Sequence, residues 1–115
     1  MLAIMVSFIT FSQNVTVNPG AGSYANLSSA FAAINLGTHT GVVTVSIIGN
    51  TAEPAGGAIL NASGTGGASY TSITISPNGG AARTITGAAT AGLPMIDLNG
   101  ADNVTFDGLN TEVIR

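Results

Sequence analysis

Three aspartates, Asp97, Asp102 and Asp107, recur at five-residue intervals with Asn99, Asn103 and Asn110 among them. Carboxylate and carboxamide oxygens are the donors that calcium takes, and two carboxylates on one sugar can divide acid and base work between them. The calcium-loop pattern fails in its details. Counting from Asp97, glycine falls at the fourth position (Gly100) and the twelfth is Gly108, where an EF-type loop needs glycine sixth and glutamate twelfth. The stronger reading makes these residues turn formers, whose short side chains bond the local backbone and tolerate tight corners. Asp97, Asp102 and Asp107 stay candidates for a metal, with calcium as the cation they suit, and no cofactor is called for.

The other reactive side chains are scattered. His39 is the only histidine, and its THTG surroundings offer no second ligand. Arg83 stands at the head of a strand, where it can grip a uronate or pair with Glu53 or an aspartate. Tyr70 falls in a Gly/Ser/Thr loop, NASGTGGASYTS, where a ring can stack on a sugar or anchor the loop. No Gly-x-Ser-x-Gly elbow is present, and Gly64-Thr65-Gly66-Gly67 lacks the lysine of a phosphate loop. Cysteine is absent, which excludes disulfides, thiolate catalysis and Cys-ligated zinc. With Arg83 and Arg115 as the only Lys/Arg residues and a net charge of −3, nucleic acid is not a partner.

These residues sit on short strands. The 115 residues suffice for one small domain, and only 6% are charged while 45% are hydrophobic, a balance that suits stacked β-structure rather than disorder. The opening MLAIMVSFITF is too short to span a bilayer and fits the apolar region of a secretory signal, with a cut after Ser12. NVTVNPG then reads as a strand. Leu27, Ala30, Phe31 and Ile34 come next at helical spacing, with Asn26 as N-cap and Gly37 as stop. Beyond them come VVTVSII, Ala58–Leu60, SITIS, RTIT, PMIDL, NVTFD and a last start at Glu112–Ile114. Ile73 and Ile75 recur as Ile96 and Leu98, and Ile85 as Val104 and Phe106. This period near 20–25 residues predicts a parallel β-solenoid over a β-sandwich. The helix would cap its open end. The expected divisions are a signal at 1–12, a strand and capping helix at 13–41, and coils at 42–115.

The order YANLSSAFAAIN, VVTVSIIGNTAEP, SITISPNGGAARTITG, MIDLNGADNVTFDGLN resembles the start of right-handed parallel β-helix proteins of the pectin-lyase-like superfamily, as in large secreted or cell-surface proteins of Bacteroidetes. The resemblance covers residues 14–110. It implies an all-β, right-handed parallel β-helix fragment with one amphipathic capping helix, and an exported bacterial origin. It is poor for activity, because that scaffold hosts lyases, esterases, hydrolases and non-catalytic adhesins.

Low charge, small polar residues and the lack of a catalytic constellation lead to an expectation of a structural, adhesive segment of a secreted or cell-surface protein that contacts polysaccharide. This reading leans away from an enzyme. The alternative implied by the resemblance is the N-terminal part of a polysaccharide-active enzyme (pectate-lyase-, pectinesterase- or glycosidase-like) whose catalytic coils lie beyond this sequence. An ice-binding face would need regularly stacked threonines, which Thr74, Thr84, Thr86 and Thr105 do not spell out.

Overall fold

A computed structural model describes residues 12–17, 22–78, 82–87 and 90–108. The signal-like run of residues 1–11, Asn110 and the Glu112–Ile114 strand start lie outside the described residues. The elements are β1 (Ser12–Val17), α1 (Leu27–Asn35), β2 (Gly41–Ile47), β3 (Thr51–Glu53), β4 (Ala58–Asn61), β5 (Tyr70–Pro77), β6 (Ile85–Gly87), β7 (Ile96–Asn99) and β8 (Val104–Phe106).

Alternation of β-branched and small polar residues makes the strands, since one face can be buried and the other wet. In β2 the buried residues are Val43, Val45 and Ile47; in β5 the buried isoleucines are Ile73 and Ile75. The helix forms where the spacing changes. Asn26 caps it by accepting from the Ser29 amide at 2.9 Å, and Leu27, Ala30, Phe31 and Ile34 turn inward at 0% exposure. Gly37, at φ +80°, ends it in the left-handed conformation that glycine reaches without strain.

The strands form three parallel sheets: β1-β2-β5-β8, β3-β6 and β4-β7. Apolar side chains of all three meet those of α1 in one core. The molecule is thus a small domain of short strands in parallel sheets with one helix. No closed solenoid is found among the described residues, and the expected right-handed parallel β-helix is corrected on that finding. The period behind it also fails. Ile73 and Ile75 pair with Val104 and Phe106, not with Ile96 and Leu98, which pair with Ala58 and Leu60. Ile85 pairs with Thr51. Partners are therefore 29 (Gly41 to Tyr70) to 38 (Ile59 to Asp97) residues apart. Loops between strands set that offset, and apolar matching alone cannot see it. The sheets are also unequal in depth, and a helix rather than strands lies between β1 and β2.

Candidate functional site

The outer face of the four-stranded sheet is the most regular surface among the described residues. With Val15, Val43, Val45, Ile73 and Ile75 buried, strand alternation puts the intervening residues outside. Register aligns them in rows. One runs Asn14, Thr44, Thr74, Thr105; a second runs Thr16, Ser46, Ser76; a third joins Ser12, Val42 and Ser72. Neighbouring strands lie about 4.8 Å apart and alternate residues about 6.7 Å apart along a strand. The result is a grid of hydroxyls with one carboxamide and one valine, Val42, and without a charge in these rows.

Threonine suits both demands of the site. Its β-branch fits the pleated strand and its hydroxyl supplies a donor and an acceptor. Thr16 shares a 2.7 Å hydrogen bond with Ser23. Among the described residues the hydroxyls of Thr44, Thr74 and Thr105 have no protein partner, so water or a ligand meets them. The sequence carries the signal as the triplets Val43-Thr44-Val45, Ile73-Thr74-Ile75 and Val104-Thr105-Phe106. Setting Thr74 and Thr105 beside Thr84 and Thr86 hides it, because Thr44 belongs to the row whereas Thr84 and Thr86 lie on β6 and its approach.

The aspartates do not converge. Asp97 lies half-buried on β7 opposite Ile59, whereas Asp102 and Asp107 flank β8 in a different sheet and are exposed. Among the described residues no three His, Asp or Glu side chains group to hold a metal ion. The Asp107 amide continues the ladder by donating to Ile75 O at 2.9 Å.

Tyr70 is buried. Its hydroxyl donates to Asn61 O at 2.6 Å and its amide to Ser63 Oγ at 3.0 Å, so it clasps the loop between β4 and β5. Burial raises its pKa above the usual 10, helped by the negative charge of Asp102 and opposed by the backbone hydrogen bond with Ser63. Arg83 is half-buried, and its Nε is buried without a hydrogen-bond partner among the described residues. Glu53 turns elsewhere, to the Leu27 and Ser28 amides and the Thr51 hydroxyl. His39 Nε2 lies 2.7 Å from the Tyr24 hydroxyl, the rings meeting edge to face at 5.7 Å.

Comparison of the chain with family models, with curated proteins and with solved structures finds no match. Among the described residues no helix is long and apolar enough to cross a membrane.

Proposed function

We propose that this chain is a structural, adhesive module of an exported bacterial surface protein, and that it contacts polysaccharide through the outer face of the four-stranded sheet. The observation that supports this reading is the in-register row Asn14, Thr44, Thr74, Thr105. Sugar hydroxyls need paired donors and acceptors, and a row of threonines offers both at each strand step. A threonine-lined sheet loses little conformational freedom on contact, because β-branched side chains are already held at χ1. The lack of charge in the rows favours neutral glycans over uronates.

Sedimentation of the chain with insoluble neutral polysaccharides tests the reading. Replacing Thr44 and Thr74 together by valine keeps the strand shape and removes two hydroxyls. Binding by the parent chain and its loss in the double variant is the expected pair of results. No binding to any neutral glycan, or equal binding by the variant, overturns the proposal. The same row favours a second reading, in which the threonines order water at an ice surface. Thermal hysteresis abolished by the same substitutions would identify it.

A further inference from the structure

Among the described residues the β4–β7 sheet is closed along one edge and open along the other. Hydrogen bonds from Ala58 N to Met95 O and from Ala62 N to Asn99 O fix which way each residue faces. In a parallel ladder successive residues alternate the edge toward which their amide and carbonyl point. Ile59 and Asn61 therefore face away from β7. There the Asn35 carboxamide at the end of α1 meets them, donating to Ile59 O and accepting from Asn61 N, each at 2.9 Å. By the same alternation the backbone groups of Ile96 and Leu98 face away from β4, and no described strand lies beyond them.

Side chains mark the same edge. Ala58 and Leu60 are 0% exposed, while their register partners are a half-buried Ile96 and a Leu98 that is 41% exposed. The asparagine column Asn35, Asn61, Asn99 also ends there. Asn99 donates its amide to Asn61 Oδ1 at 3.3 Å, which leaves its own Oδ1 as an acceptor at the open end.

We propose that this edge accepts, in parallel register, an extended segment of a partner protein reading apolar, lysine or arginine, apolar, asparagine. Each position follows from the residue it would face. Apolar side chains cover Ile96 and Leu98, a cation sits opposite Asp97 on the outer face, and a carboxamide donates to Asn99 Oδ1. Strand addition draws affinity from main-chain hydrogen bonds and specificity from alternate side chains. Charge complementarity selects the partner over a second copy. The chain's own strands of this spacing, Ala58-Ile59-Leu60-Asn61 and Ile96-Asp97-Leu98-Asn99, carry no cation, and a copy offering the second sets Asp97 against Asp97. The chain's own cations are Arg83, which Thr84 and Ile85 follow rather than an apolar residue and asparagine, and Arg115, where Ile114-Arg115 supplies only the first two positions.

The test titrates the full chain with a blocked hexapeptide, serine-valine-lysine-valine-asparagine-serine, while the amide shifts of Ile96 and Leu98 are followed. Saturable shifts at these two residues are expected, with about tenfold weaker binding at low salt when glutamate replaces the peptide lysine. Asp97→Lys should reverse that preference, and Asp97→Asn should abolish it, which keeps the test open if the lysine variant fails to fold. Absence of saturation with the lysine peptide, or an unchanged preference in the Asp97 variants, overturns the proposal. So does peptide binding that appears only after residues 109–115 are removed, which assigns the edge to the chain itself. A dimer of the parent chain that Leu98→Lys dissociates assigns it to a second copy, and overturns it too.

Discussion

Glu53 accepts the Leu27 amide at 2.9 Å although the two residues stand 26 positions apart. Its second oxygen accepts the Ser28 amide at 2.7 Å, and the Thr51 hydroxyl donates to the first at 3.1 Å. The carboxylate is 4% exposed and lies at the positive end of the α1 dipole, where orphan amides need acceptors. One side chain of β3 thus fastens the helix to the sheets. Asn26 serves a further amide of the same helix end. The tie is reciprocal, since Asn26 Nδ2 also reaches Ala52 O at 3.4 Å.

Glu53→Gln should therefore destabilise the chain by about 1–3 kcal/mol, because a carboxamide has only one oxygen for two backbone amides and turns an N–H toward the other. Denaturant unfolding gives the number, and amide exchange at Leu27 and Ser28 should accelerate. An unchanged midpoint would show that the helix is held by its apolar face alone.

Gly57 is a backbone position with no room for a side chain. It has φ +70°, and a Cβ there would lie 2.6 Å from Pro94 O and 2.8 Å from Met95 O. Gly57→Ala adds left-handed strain to a clash with backbone that cannot step aside, an expected loss of at least about 2 kcal/mol. Gly56→Ala, whose Cβ meets nothing within 4 Å, should stay within about 0.5 kcal/mol of the parent. Equal melting temperatures for the two variants would mean that the close approach of the two carbonyls does not constrain this turn.

Leu60 and Leu98 are register partners in different surroundings, at 0% and 41% exposure. Leu60→Ala leaves a cavity beneath α1 and should cost about 2–5 kcal/mol. Leu98→Ala loses only partly buried methyls and should cost less than about 1 kcal/mol. A comparable loss at both sites would mean that the β7 edge is covered in solution.

The helix is legible in the sequence because its signals are local. Leu27, Ala30, Phe31 and Ile34 share one face, and Asn26 sits directly ahead of them, where an N-cap must stand. The strands containing Val43, Ile73 and Val104 are legible for the same reason, their apolar-Thr-apolar triplets fixing which side is buried. Pairing is not legible. Nothing near Ile85 says that Thr51 rather than Val104 or Phe106 lies beside it, because loop lengths decide the register. The three-residue strand Thr51–Glu53 is hidden too, since an inward-facing glutamate looks like a surface residue until the helix amides above it are known. The row Thr44, Thr74, Thr105 shares that fate: each threonine is visible, but their alignment needs the register.

Tyr70 gives the chain an alkaline limit. Its pKa is raised above 10, chiefly by burial and further by Asp102, so folding favours the neutral phenol. Linkage sets the sign. A group whose folded pKa exceeds its unfolded value contributes stability that is fully present below pH 10 and is lost as pH rises through the folded value. Ionisation also removes the proton that Tyr70 donates to Asn61 O at 2.6 Å, which opens the clasp on the loop between β4 and β5. The chain has two tyrosines, so Tyr24→Phe leaves Tyr70 as the only phenol to titrate. Its ionisation, followed by phenolate absorbance, should run above that of the urea-unfolded chain and move downward in Asp102→Asn. Tyr70→Phe should cost about 1 kcal/mol at neutral pH through the lost hydrogen bond and flatten the decline of stability at alkaline pH. A folded-state titration coinciding with the unfolded one would sink both the burial and the clasp.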